Sequence, residues 1–242
     1  MKYLFLTLAI TLAHVATQAQ QTKSLVFDAN AEIRTVGSFT SVEVSGSIDL
    51  YLSQGNDEGV AVSASNDEAK SRIKTEVTNG VLHIYSDNKG GSWKNWGNTK
   101  TKAYVSFKDL KRIEATGACN VVVVDIIKVA TLKLDLSGAS DFKGEVAIGT
   151  LNIGVSGASN MRISGKADKC YIEASGASNI KAYDLKVDNC RAEASGAANI
   201  RITATKDFKA EASGAATIYY KGEANISNVS TSGGASIKKQ AD

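Results

Sequence analysis

The stretch Ser175-Gly176-Ala177-Ser178-Asn179-Ile180, residues 175–180, occurs with small variations seven times between residues 116 and 237. Successive copies are 18 to 21 residues apart, and their glycines are Gly117, Gly138, Gly157, Gly176, Gly196, Gly214 and Gly233. A repeat of this length is typical of one coil of a solenoid, in which each coil packs on its neighbours. We therefore expect equivalent residues of successive coils to form columns along the solenoid axis.

Each coil shows the alternation of a strand with one buried face. Two and four residues before the glycine the side chains are mostly apolar, as at Val155 and Ile153, whereas the positions between them are mostly polar. The fourth residue after the glycine is also apolar, which predicts a second strand beyond a corner. The sequence thus predicts an all-β fold, a single-stranded right-handed parallel β-helix with a less regular N-terminal β region.

Two columns are predicted to have structural roles. Glycine at the corner can adopt a positive φ and lets adjacent coils approach closely, so the seven glycines are the predicted structural corners. The third residue after the glycine is predicted to form an asparagine column, with hydrogen bonds between coils. Its members are Asn120, Asp141, Asn160, Asn179 and Asn199.

The N-terminal segment has the pattern of a secretory signal peptide. Met1 and Lys2 precede an apolar run over 3–13, and Ala19 is the predicted last residue before cleavage. Removing Lys2 from 28 basic residues leaves 27 against 25 acidic residues, a net charge of +2. This nearly neutral net charge indicates neither a nucleic acid partner nor a strongly acidic one. We expect an exported protein, periplasmic, cell-surface or secreted, with no transmembrane segment in the mature chain.

The predicted organisation has three parts: a signal peptide over 1–19, irregular N-terminal β coils and a cap over 20–110, and regular β-helix repeats over 111–242. In the second part, alternation predicts strands joined by a hairpin turn at Asn79-Gly80. The segment 87–100 is polar and contains both tryptophans. Trp93, Lys94, Asn95 and Trp96 are candidate ligand-binding residues, or the tryptophans form a hydrophobic lid over the open coil end.

Two of the three cysteines occupy the same repeat position. Cys170 and Cys190 each lie six residues before their glycine, so they should be neighbours in adjacent coils. They are interpreted either as small packing residues or as a disulfide. Cys119 is interpreted as a small packing residue at the corner.

A family resemblance rests on three features of the chain. The strand pair over 39–54, the strand over 80–84 and the serial glycine repeats together resemble the bacterial family of auto-transporter adhesins, head GIN domain, over about residues 36–236. The resemblance implies an exported β-helix with a role in adhesion. It supplies no catalytic residues.

Two charged columns allow more than one interpretation. Glu173, Glu193 and Glu211 stack beside Arg191 and Lys209, and a basic column follows the corner, with members Lys143, Arg162, Lys181 and Arg201. Such columns could bind a repeating anionic polymer or a divalent cation, or they could serve only solubility.

We predict a protein that is not an enzyme. Short coils leave little room for a catalytic groove, and His83 is the only histidine of the mature chain. No catalytic residue, metal site or cofactor is predicted. The expected partner is an unidentified cell-surface protein or glycan. The alternative is a carbohydrate-binding or polysaccharide-active β-helix protein.

Overall fold

The protein is a β-solenoid of about seven turns, with 70% of its residues in strands and 3% in helix. This architecture confirms the expected parallel β-helix. The computed structural model describes residues 28–87 and 100–241.

The described residues form sixteen strands and one short helix. Their bounds are β1 Glu32–Arg34, β2 Ser41–Gly46, β3 Ile48–Gln54, β4 Gly59–Ala64, α1 Asp67–Arg72, β5 Ile73–Thr78, β6 Val81–Ser86, β7 Thr101–Phe107, β8 Arg112–Gly117, β9 Asn120–Gly138, β10 Asp141–Val155, β11 Asn160–Ala174, β12 Asn179–Ala194, β13 Asn199–Ala212, β14 Thr217–Lys221, β15 Asn225–Thr231 and β16 Ser236–Lys239.

The long strands β9 to β13 each wrap around one coil and pair in parallel with the next. Each pairing advances by one repeat, so Phe142 lies beside Met161, then Ile180, then Ile200. Strands β14 and β15 form the next coil on β13, and β16 begins a further coil by pairing in parallel with β14. Equivalent residues therefore do become neighbours along the axis.

The interior is built from the apolar columns on both sides of the corner. Ile153, Val155 and Met161 are each at most 3% exposed, and the same positions are buried in the coils around them. In the last coil the inward column reaches Val229, which is 43% exposed. The expected burial ends there because no further coil covers that side.

Glycine is required at the corner by both conformation and space. Gly157 has a φ of +70°, and a Cβ atom built on it would lie 2.3 Å from the carbonyl oxygen of Gly138. The amide of Ala158 donates a hydrogen bond to that same oxygen, at 2.8 Å. The close approach of two corners thus leaves no room for a side chain.

The N-terminal strands belong to the same sixteen-stranded sheet. Strand β2 pairs in parallel with β8, which places Gly46 beside Gly117, and β3 pairs in parallel with β7 and β9. The predicted hairpin is confirmed between β5 and β6, where Asn79 and Gly80 both have positive φ values.

The helix α1 was not predicted from the sequence. Asn66 caps it, because its side-chain oxygen accepts a hydrogen bond from the Ala69 amide at 2.8 Å. Asp67 and Glu68 follow in the first turn, an arrangement that favours a helix start. Over the part of the chain that is described, no helix has the length and apolar character needed to cross a bilayer.

Candidate functional site

Two outward faces flank the line of corner glycines, and they carry different charge patterns. On the first face, the residues three positions before the glycine form an acidic column, interrupted by Gly154. Its acidic members are Glu43, Glu114, Asp135, Glu173, Glu193 and Glu211. An open groove of about 570 Å³ runs along this face. It is lined by the acidic side chains from Glu114 to Glu211 and by the serines that precede the corner glycines.

Basic residues on the same face form ion pairs with members of the acidic column. Arg112 contacts Glu114 at 2.5 Å and Asp135 at 3.1 Å, and Lys133 also contacts Asp135 at 3.1 Å. These ion pairs neutralise the first part of the column.

A second set of ion pairs lies three coils beyond Asp135. Arg191 contacts Glu193 at 2.7 Å and Glu211 at 3.3 Å. The hydrogen bond from Arg191 to Glu193 raises the pKa of this guanidinium, and the charges of both glutamates act in the same direction. The acidic column is therefore largely compensated within its own face.

The acidic column is longer than the repeat alone indicated. Glu43, in β2, stands in register with Glu114, and His83 lies beside Glu43 with its Nδ1 atom 3.2 Å from the carboxylate. Aligning Gly46 with the seven repeat glycines would have placed Glu43 in this column.

The second face, after the corner, has two columns that point outward together. The asparagine column lies three residues after the glycine, and the basic column lies five residues after it. Strand pairing places Lys143, Arg162, Lys181 and Arg201 side by side in successive coils. Lys143, Arg162 and Lys181 are exposed, and they form no ion pair with any other residue in the described ranges.

Arg201, in the basic column, contacts two neighbouring side chains. Its Nη1 atom donates a hydrogen bond to the side-chain oxygen of Asn179 at 3.0 Å, and its guanidinium lies 5.7 Å from the ring centre of Tyr219. This contact shows that the two columns lie within hydrogen-bonding reach of each other.

The asparagine column has the predicted stacking partners, since Asn120, Asp141, Asn160, Asn179 and Asn199 are paired in that order. Asn160 donates to Asp141 at 2.9 Å, a bond between two coils within the column. Asn199 donates instead to the carbonyl of Ala197, with an N–O distance of 3.4 Å. The remaining hydrogen-bonding groups of this column face solvent.

The cysteines are buried and free. Cys170 and Cys190 are paired in register, as their spacing predicted. Burial raises the pKa of the Cys170 thiol, and it raises that of Cys190 to about 12. Burial also raises the pKa of Cys119. These thiols are therefore protonated at neutral pH and poor nucleophiles.

The remaining candidate ligand-binding residues come from the tryptophan-containing segment 87–100. Trp93, Lys94, Asn95 and Trp96 follow β6 and precede β7, and they lie outside the described residues. Within the described ranges, no group of three or more histidine, cysteine or acidic side chains could hold a metal ion.

Together, the fold and these faces define a parallel β-solenoid whose extended outer columns and open groove are its candidate binding surfaces. The chain belongs to the family described as putative auto-transporter adhesin, head GIN domain, whose family model matches residues 38–224. No curated protein matches the sequence.

Solved structures share the fold at low sequence identity. A putative adhesin from Bacteroides fragilis is 21% identical, with a TM-score of 0.80, over 87% of this chain and 96% of that one. A protein from Parabacteroides distasonis described as a putative lipid binding protein is 20% identical, with a TM-score of 0.68, over 88% and 98% of the two chains. A putative adhesin from Parabacteroides merdae is 18% identical, with a TM-score of 0.68, over 87% and 95%.

Proposed function

We propose that this protein is a non-enzymatic, exported, adhesin-like module that binds a cell-surface protein or glycan through the outer surface of its solenoid. Membership of the adhesin family supports this function. The observation that carries it is the exposed basic column, whose first three cations form no ion pair within the described ranges. Uncompensated charge repeated once per coil is suited to recognising an extended partner.

Carbohydrate binding is the second candidate function. The open groove on the first face is lined by hydroxyl and carboxylate groups that recur from coil to coil, an arrangement suited to a chain of sugar hydroxyl groups. Trp93 and Trp96, in the segment 87–100, are further candidates for stacking on sugars.

A binding screen tests the adhesin-like function. The purified mature chain, beginning at residue 20, is applied to a glycan array and, on fluorescent beads, to bacterial and epithelial cells. Selective retention on cells or glycans is the expected result. Equal retention of these beads and of albumin-coated beads on every surface would contradict the proposal.

Two further readouts divide the candidate functions. Loss of glycan binding in the Trp93→Ala, Trp96→Ala double variant would assign sugar recognition to the segment 87–100. Release of unsaturated sugars from acidic polysaccharides by the unaltered chain would overturn the non-enzymatic assignment.

A further inference from the structure

We propose that the second face binds a linear anionic polysaccharide, with one sugar residue per coil. The binding strip consists of the basic column together with the asparagine column beside it. This inference rests on the proposed adhesin-like function and deepens it by naming the chemical class of the partner. It follows from the charge, spacing and composition of the two columns.

In the part of the chain that the structure describes, the cations of the strip are not paired with carboxylates, unlike cations of the first face. Arg112, Lys133 and Arg191 each contact a carboxylate on the first face. In contrast, Arg162 and Lys181 stand side by side on the second face, without an ion pair in the described ranges. Like charges directly opposite on neighbouring strands repel each other, and a bound polyanion would relieve that repulsion.

The spacing of the strip suits a polymer with one charge per sugar. Neighbouring strands of a sheet lie about 4.8 Å apart, so successive cations of the column recur at about that distance. This interval is comparable with the length of one sugar residue in an extended polysaccharide. A uronic acid polymer carries one carboxylate per sugar, so its charge recurs along the chain axis at about the interval of the coils.

The asparagine column adds groups that recognise hydroxyls. Each central coil repeats an amide and a cation two residues apart, as in the pairs Asn160 with Arg162 and Asn179 with Lys181. Side chains two residues apart on a strand point to the same face. The cation can bind a carboxylate while the amide donates to, or accepts from, a neighbouring hydroxyl.

The two ends of the strip differ in charge. In the first coil of the strip, Asp141 and Glu145 each lie two residues from Lys143 in the sequence, and their negative charges repel a bound anion. At the other end Tyr219 follows Arg201 in the column, and Lys238 lies beside Tyr219. We therefore place the strongest attraction between Arg162 and Arg201, with the exposed part of the Tyr219 ring available to contact a sugar.

The same column is poorly suited to single-stranded nucleic acid. Nonspecific binders of single strands combine cations with aromatic rings on which successive bases stack. The column positions from Lys143 to Arg201 carry no aromatic residue. The polysaccharide is therefore the partner that we test, and nucleic acid is an outcome of the test.

The experiment measures binding of the mature chain to polygalacturonate by biolayer interferometry at two salt concentrations. Fully methyl-esterified pectin serves as the uncharged polymer with the same backbone. We expect the acidic polymer alone to bind, more weakly at the higher salt concentration because ions screen exposed charges.

Charge-matched variants locate the binding site. The triple variant Arg162→Gln, Lys181→Gln, Arg201→Gln should bind about tenfold more weakly, the combined loss of three charge contacts at the protein surface. The control variant Lys166→Gln, Lys169→Gln, Lys186→Gln removes the same charge from exposed positions outside the strip and should bind like the unaltered chain. Asp141→Asn, which gives the first coil the amide of the others, should tighten binding.

A loss of polysaccharide binding can be distinguished both from misfolding of a variant and from failure of the adhesin-like function. Circular dichroism and thermal unfolding first establish that the variants are folded. Equal loss of binding in the two triple variants would show that the strip is not the binding site. Tighter binding of a single-stranded oligonucleotide than of polygalacturonate would contradict a polysaccharide as its partner. Selective adhesion to cells or glycans without binding of the acidic polymer would contradict polysaccharide binding by the strip and leave the adhesin-like function supported. Failure of both assays would also contradict the adhesin-like function.

Discussion

At the scale of single residues, the stacked corners impose the strictest requirement on the chain. The corner glycines lie directly over one another, and their backbone atoms are in contact. Gly138 and Gly157 illustrate the point, since a Cβ on either would lie within 2.5 Å of a carbonyl oxygen in the preceding coil. Positive φ adds a conformational penalty for any other residue.

We expect Gly157→Ala to lower the free energy of unfolding by at least about 2 kcal/mol, because both a left-handed backbone and a backbone clash must be accommodated. Chemical denaturation followed by circular dichroism measures the change. Gly59→Ala is the matched control, since nothing lies within 4 Å of its Cβ position. Equal stability of the two variants would show that the corners are not tightly packed.

The buried thiols predict a specific dependence on alkaline pH. Unfolded cysteine loses its proton near the ordinary value of 9.0, whereas burial keeps Cys190 protonated in the folded protein up to about 12. The unfolded state therefore binds fewer protons above pH 9, and stability contributed by the neutral thiols is lost between these two values. Below pH 9 this contribution is fully present.

The Cys170→Ala, Cys190→Ala variant should lose stability less steeply than the unaltered chain as the pH rises from about 9 to 12. Denaturant midpoints measured across this range test the difference. The raised tyrosine pKa values are common to both proteins and cancel in the comparison. Parallel pH profiles would mean that the two thiols are accessible to water.

At the scale of elements, the coil is the unit of structure, and the sequence predicts it because each coil repeats the same contacts. The buried columns, the corners and the hairpin at Asn79-Gly80 follow from local spacing and turn chemistry. The helix α1 has no such periodicity, and six residues provide only a capping signal. The choice of ion-pair partners, such as Arg191 with Glu211, depends on side-chain conformation and cannot be obtained from spacing.

Removing one whole coil tests this unit directly. Deleting residues 158–176, the 19 residues from Ala158 to Gly176, joins Gly157 to Ala177 and keeps every remaining column in register. We expect a folded protein with a cooperative thermal transition and a β-sheet circular dichroism spectrum. Deletion of residues 158–167, about half a coil, should abolish folding because it shifts apolar residues to the outside. Unfolding of both deletion variants would contradict the repeat as an independent unit.

At the scale of the whole molecule, the solenoid turns one short repeat into two long faces with different electrostatic properties. The first face compensates its acidic column with arginine and lysine from the same strands. The second face presents its cations beside amides without that compensation. The sequence predicted both columns, but only the three-dimensional ion-pair pattern distinguishes the surface that we propose for binding.

The most direct test of this account is a map of backbone amide chemical shifts in the mature chain on addition of polygalacturonate. We expect changes concentrated at equivalent positions of three successive coils, near Arg162, Lys181 and Arg201. Changes confined to the acidic groove or to the segment 87–100, or no changes at all, would contradict polysaccharide binding by the strip.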